Sequence, residues 1–247
     1  MIVLKLGGSV VTDKDRAETL DGPALERAAD AVAAAVSSGA VERLVVVHGG
    51  GSFGHHHASE HGVSTTEGTH DADAALAIHG AMKTLDEFVL EALLERDVPA
   101  LPVHPFSAAH RDDDGDLHLS TGQVQTLLAE GFVPVLHGDV VAHAGEGVTI
   151  VSGDELVAEL ATALEADRIG LCSTVPGVLD TDDAVIDRIT SFADVEAVLG
   201  GSDATDVTGG MAAKVRALLE LDARASIFGL DALESFLEGD EPGTTVE

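Results

Sequence analysis

The chain has no tryptophan, no tyrosine, one cysteine and four lysines in 247 residues. Aromatic residues make up 3% against 45% hydrophobic residues, so the core must be built from valine, leucine, isoleucine and alanine. Cys172 alone leaves no internal disulfide and no cysteine-rich metal centre. Its neighbourhood, "DRIGLCS", reads as a buried strand in which a small core residue fits. No apolar run is long enough to cross a bilayer, and the N-terminal stretch does not resemble a signal peptide. A cytoplasmic protein is the expectation.

Positive charge is also scarce. Thirteen Lys+Arg face 44 Asp+Glu, for a formal net charge of −31. The acids are spread along the chain rather than gathered in a tail. Such a surface repels nucleic acid and anionic lipid. It suits the cytoplasm of a halophile, where salt screens the repulsion over about 3 Å at 1 M; an ordinary acidic protein is the alternative.

No Walker loop, Gly-x4-Gly-Lys-[Ser/Thr], occurs. Gly49-x-Gly51-x-x-Gly54 has the spacing of a dinucleotide fingerprint, which requires a helix and then a strand ending in an acid about 20 residues on. Here the next strand-like run, "ALPVH", lies much too far along and ends in His104, so a nicotinamide enzyme is disfavoured.

What is present is an alternation of strands and helices. Strand-like runs are "IVLKL", "RLVVVH", "ALPV", "FVPVLHGDVV", "VTIV", "RIGLC" and "ASIFG". Helices are expected at about 22–38, stopping at Gly39, and at 71–96, with Leu76, His79, Met82, Leu85, Val89 and Leu93 at three- and four-residue spacing. Further helices are expected at about 121–130, 154–165 and 211–223. "HRDDDGDLHL" reads as a turn with a solvated tip. This order implies an α/β fold: a three-layer αβα sandwich with a central, mostly parallel sheet. No linker-like stretch marks a boundary, so one domain of two lobes on a continuous sheet is expected.

Four glycine-containing loops follow strand-like runs: "LGGS", "HGGGSFG", "VSGD" and "STVPG". In parallel sheets ligands sit beyond the carboxyl ends of the strands, which puts these loops on one edge. Glycine lets backbone N–H groups converge on an anion, although a lone loop of this kind is as well explained as a tight turn. The lysines favour the anion: Lys5 precedes "LGGS", Lys14 follows that strand closely, and Lys214 opens the helix after "DVTGGM". A compact ammonium neutralises charge on a transferring phosphoryl group. Lys83 belongs to the expected long helix and reads as scaffold.

"KLGGSVVTDK", "VVHGGGSFGHHHA", "VSGDELVAELA" and "DVTGGMAAKV", in this order, resemble the amino acid kinase superfamily, and "HGGGSFGH" resembles its isopentenyl phosphate kinase branch. The resemblance spans essentially the whole chain. It implies an acceptor-binding lobe (1–145) and an ATP-binding lobe (146–247). It implies Lys5, Lys14, His55, Asp154 and Lys214 as the catalytic set. Lys5, Leu6, Gly7, Gly8, Ser9, Gly50, Ser173, Gly177, Gly209, Gly210 and Lys214 would bind ATP, with residues 173–179 bordering its adenine and ribose. Gly49, Gly50, Gly54, His55 and Gly153 would hold the acceptor. Mg²⁺ would arrive with ATP, and a homodimer is implied. Members of the branch often carry Pro after the loop His; this chain has His56. No protein metal site is expected, since adjacent histidines point different ways and the triplet has no evident partner ligand. The face with Leu76, Ile78, Met82 and Leu85 either packs as core or walls a pocket for a short isoprenoid chain. A fosfomycin-type kinase, which shares the loop, and a non-catalytic sensing module of the same fold are the alternatives.

Overall fold

The computed structural model describes residues 1–199 and 210–247. Strand β1 (Ile2–Leu6) leads through the one-turn helix α1 (Gly8–Val11) to α2 (Gly22–Ser38), β2 (Leu44–His48), α3 (Gly51–His61) and the long α4 (Ala72–Leu94). Next come β3 (Ala100–Pro102), the short α5 (Pro105–Ala108), the hairpin of β4 (Ala109–Arg111) and β5 (Leu117–Leu119), and α6 (Gly122–Ala129). Strands β6 (Val133–His137), β7 (Asp139–His143) and β8 (Gly147–Val151) lead into α7 (Gly153–Ala163) and β9 (Arg168–Ser173). The last part holds β10 (Arg188–Ile189), α8 (Glu196–Leu199), α9 (Gly210–Leu219), β11 (Arg224–Gly229), α10 (Leu233–Glu238) and β12 (Thr244–Val246).

Eight strands form the central sheet in the order β10-β12-β11-β9-β1-β2-β6-β3. Every pairing in it is parallel except β11 with β12. Both faces are buried, and the two-residue period of a strand sorts them. Ile2, Leu4, Leu6, Leu44 and Val46 pack with Leu25 and Val32 of α2, Leu93 of α4 and Phe236 of α10. Val3, Val45 and Val47 pack with Leu156 and Leu160 of α7 and Val215 of α9. Lys5 shares the parity of Val3, so its side chain emerges on the α7 side. Cys172 lies in the first of these cores, and burial pushes its thiol up to about 12, as befits a packing residue.

The helix ends follow local chemistry. The Asp21 side chain accepts from Ala24 N at 3.1 Å, Pro23 occupies the first turn of α2, and Gly39 ends it at φ 75°. Helix α9 stops at Leu219 rather than 223, because Glu220 and Leu221 turn back in i→i−3 bonds to Ala217 and Leu218. On α4, Ile78, Met82, Leu85 and Val89 are buried but Leu76 is 59% exposed. Two residues advance about 200° around a helix, so Leu76 and Ile78 cannot share a face.

Two features depart from the sequence-based expectation. The glycine-histidine stretch is not a loop: Gly51–His61 is helical, anchored by buried Phe53 and Ala58. Tertiary packing overrides the poor helix propensity of glycine there. A second sheet, β5-β4-β7-β8, also stands apart from the central one, its pairs antiparallel except β4 with β7. Its junction with α7 is a buried polar knot. Ser152 and Glu155 form a reciprocal capping box. Arg111, 6% exposed, donates to Glu155 at 2.5 Å and to Ile150 O at 3.1 Å.

Glu155→Ala removes half the capping box and leaves the buried Arg111 guanidinium without its carboxylate, bonded among the described residues only to the carbonyls of Gly115 and Ile150. We expect a loss of about 3 kcal/mol, read as a lower guanidinium midpoint with an unchanged slope.

Candidate functional site

The carboxyl ends of β1, β2 and β9 in the central sheet, together with that of β8 in the second sheet, open into one cavity of about 290 Å³. All four glycine-containing loops reach it: Gly7, Gly8 and Ser9 after β1; Gly49 and Gly50 after β2; Ser152, Gly153 and Asp154 after β8; Ser173, Thr174 and Val175 after β9. The expected single sheet edge is therefore two edges meeting.

Two of these turns touch backbone to backbone. A Cβ on Gly8 would stand 2.1 Å from Gly51 N. Gly51 adopts φ +49°, and a Cβ there would stand 2.2 Å from Thr12 Oγ1. No side chain fits at either position, so glycine sets the spacing of the turns as well as exposing their N–H groups.

Lys5, Lys14 and Lys214 all line the cavity. Asp154 joins two of them: Lys5 Nζ lies 2.6 Å from Oδ1 and Lys214 Nζ 3.5 Å from Oδ2. Burial alone would raise the Asp154 carboxyl, but the Lys5 charge, and after it Lys214, outweigh burial and hold it below the usual carboxylate range. Gly153 makes room for this arrangement, since a Cβ there would stand 3.1 Å from Lys5 Cε.

Lys14 is exposed, on the segment between β1 and α2, and that segment is moored to α3. Thr12 Oγ1 accepts from Ser52 N at 3.0 Å, Ser52 Oγ bonds both the N and the O of Thr19 at 3.2 Å, and Glu18 Oε1 pairs with His57 Nε2 at 2.7 Å. His55, in the first turns of α3, lines the cavity. His56 is exposed, while His57 faces Glu18 and, at 3.7 Å, Glu60. The triplet thus divides as expected, although partner carboxylates and His61 do surround His57.

Apolar side chains also line the cavity: Ile78 and Met82 of α4 with Ile150 and Val151 of β8. Asp139 lines it too, held by His79 Nδ1 at 2.9 Å. Gly138, Asp139, Ile150, Val151 and Met211 line the cavity without being expected from the sequence. For Gly138 a signal existed: "LHGD" repeats the His-Gly strand ending of "VHGG". In both, the histidine Nδ1 faces the next residue's carbonyl, His48 to Gly49 O at 3.2 Å and His137 to Gly138 O at 3.0 Å. Burial pushes the His137 ring down to about 4, so it is neutral.

Some expected residues fall elsewhere. Leu6 is a core residue; Gly54 packs against Met82, whose sulfur would stand 2.6 Å from a Cβ there; Gly177 packs against Val185 and Thr244. Gly210 begins α9 without lining the cavity, where Met211 stands instead. Gly209 lies outside the described residues. Among the described residues lining the cavity, both Asp154 oxygens are taken by lysines and Asp139 by histidine, so neither carboxylate is open to Mg²⁺; an ion carried on the ATP phosphates would need no protein carboxylate.

Because the folded value of Asp154 is depressed, its contribution to stability is complete above the ordinary carboxylate value of 3.8 and lost as pH falls through the folded value. Asp154→Asn removes that increment. Between pH 7 and 3, denaturant midpoints of wild type and variant should therefore converge; curves that stay parallel contradict the ion pair.

The amino acid kinase family model matches residues 1–227. An isopentenyl phosphate kinase of Haloferax volcanii is 63% identical over 246 residues, 100% of this chain and 98% of that protein. Another, from Methanothermobacter thermautotrophicus, is 36% identical over 237 residues, 90% of this chain and 86% of that one. A solved isopentenyl phosphate kinase structure superposes with a TM-score of 0.84 at 29% identity, covering 100% of this chain and 99% of that one. The product complex of the T. acidophilum isopentenyl phosphate kinase shares the fold, with a TM-score of 0.80 at 24% identity and full coverage of both chains. A β1 lysine, two touching glycine turns and an aspartate between two lysines thus sit in a chain that belongs to the amino acid kinase family and, within it, to the isopentenyl phosphate kinases.

Proposed function

We propose that this chain transfers the γ-phosphoryl group of ATP to the phosphate of isopentenyl phosphate, giving isopentenyl diphosphate and ADP for isoprenoid synthesis. The observation that carries the reading is a single cavity lined both by three lysines and by the hydrocarbon side chains of Ile78, Met82, Ile150 and Val151. The acceptor oxygen is already an anion, so no general base is required. The obstacle is repulsion between two polyanions in a protein of net charge −31. Lys5 and Lys214, fixed by Asp154, offset it across the β- and γ-phosphates, and Lys14 stabilises the transferring group. N–H groups of Gly8 and Gly50 cradle phosphate, whereas those of Gly7 and Gly49, expected from the sequence to do so, donate instead to Cys172 O at 2.9 Å and Leu6 O at 3.0 Å; His55 donates to the acceptor phosphate. ATP enters as its Mg²⁺ complex, with the adenine side bordered by Ser173, Thr174 and Val175. Residues 1–145 form the acceptor half and 146–247 the nucleotide half.

The apolar wall of Ile78, Met82, Ile150 and Val151 favours a branched hydrocarbon tail over a small polar phosphonate such as fosfomycin. The convergence of three lysines favours catalysis over sensing, which needs no transfer lysines. The acidic surface suits a salt-rich cytoplasm. A homodimer would cover edge strand β3, on or beside which Leu101 and Phe132 are exposed.

In high salt, ADP release should depend on isopentenyl phosphate, and ³¹P NMR should show a new diphosphate. Turnover with fosfomycin in place of isopentenyl phosphate, or binding without turnover, would overturn the reading. His55→Gln should raise the acceptor KM about tenfold, as for loss of one charge-assisted hydrogen bond, with a smaller change in the KM for ATP. Raising KCl from 0.1 to 2 M should raise the melting temperature, because screening relieves self-repulsion; a fall would contradict adaptation to salt.

A further inference from the structure

Next to the cavity, which Asp139 also lines, lies a cluster of carboxylates and imidazoles that phosphoryl transfer leaves unused. Asp86 of α4 is 1% exposed, as is Asp139 at the start of β7. Among the described residues, the ion-pair partners of both carboxylates are imidazoles: His48 and His104 for Asp86, His79 and His137 for Asp139. Buried carboxylates are costly unless a cation meets them, and no lysine or arginine does so here among the described residues.

Three groups of this cluster converge on one point. Asp86, His104 and His137 each offer a ligand atom, all within 4.8 Å of one another. His104 Nδ1 is 2.9 Å from His137 Nε2 and 3.9 Å from Asp86 Oδ2. The surroundings are already those of a ligand set. The His137 Nδ1–H donates to Gly138 O, which leaves the Nε2 lone pair facing the point. His48 Nε2 sits 3.3 Å from the other Asp86 oxygen and orients that carboxylate. Outer partners of this kind fix tautomer and direction in metal centres.

We propose that Asp86, His104 and His137 form a structural site for a late first-row divalent cation such as Zn²⁺ or Co²⁺. Two imidazoles and one carboxylate match those ions and not Mg²⁺, which takes oxygen ligands. Without the ion, the His104 Nδ1–H bonds His137 Nε2; on binding, that hydrogen moves to the other nitrogen of His104 and Nδ1 becomes a ligand. The His104 side chain, 31% exposed, gives the ion a way in and leaves a coordination position for water. The bound ion links α4, the segment after β3 and the end of β6. Those are the supports of Met82, Gly138 and Asp139, all of which line the cavity. The proposal concerns this cluster and stands whether or not the acceptor assignment does.

The exposed trio His57, Glu60 and His61 on α3 is the competing ligand set, and the test separates the two. Untagged protein, stripped by chelation and freed of chelator, is titrated with Co²⁺ in the absence of nucleotide. The expected result is a saturable d–d absorption band at one equivalent per chain. The band should persist in His61→Ala, vanish in His104→Ala and be displaced by Zn²⁺. Zn²⁺ at a hundredfold excess over its Kd should raise the melting temperature by about 5 °C or more. A Zn²⁺-soaked wild-type crystal should give an anomalous peak among Asp86, His104 and His137, a readout independent of any variant's folding. No saturable band, a band that survives His104→Ala, a band lost in His61→Ala, or an anomalous peak only at α3 would overturn the site.

Discussion

A carboxylate shared by two ammonium groups organises the lysines of the cavity. Asp154 lies at the first turn of α7, Lys5 at the end of β1 and Lys214 on α9. Strand parity aims Lys5 at α7, the glycine at 153 clears its path, and the capping box of Ser152 and Glu155 fixes the helix start that carries Asp154. The pair lies mostly out of solvent, at 10% and 16% side-chain exposure, where Coulomb attraction is stronger than in water. Two positive charges around one negative leave net positive charge facing the cavity. In a chain this acidic, that local excess has to overcome the field of the whole surface.

The glycine turns after β1 and β2 rest on backbone contact. Gly8 against Gly51 leaves no room for even a methyl group, so the turns after β1 and β2 act as one unit. The ties from Thr12, Glu18 and Thr19 to Ser52 and His57 extend that unit to the Lys14 segment. His55 and Lys14 are therefore carried by parts that shift together. Histidines at the ends of β2 and β6 face the next carbonyl and set the glycine turns from beneath.

Much of this was legible in the sequence, and the reasons differ by element. Helix α2 was bounded correctly because Asp21, Pro23 and Gly39 act locally. The cavity was legible because lysine is so rare that three of four beside glycine turns stood out. Helix α3 was not, since its glycines and histidines disfavour a helix and only packing of Phe53 and Ala58 supports it. The second sheet was hidden because its strands are short and β8 looked like one more central strand. Asp139 was invisible as a cavity residue: nothing local distinguishes it from the many other acids, and its place follows from the pairing of β7 with β8. Gly54 and Gly177 were assigned to ligands from motif position, whereas both make room for neighbouring side chains.

The position of β1 has a consequence for biosynthesis. This strand precedes both β2 and β9 in the chain, yet it lies between them, with Ile2 opposite both Leu44 and Arg168. Until residue 173 has emerged, one edge of this apolar strand has no neighbour to pair with. Unpaired edges of buried strands are sticky, so the nascent chain passes through a prolonged vulnerable stage. The cavity-lining Lys5 sits on that strand, and the aspartate that holds it arrives about 150 residues later, as the spacing of Lys5 and Asp154 dictates. Lys5 is thus translated early and restrained late.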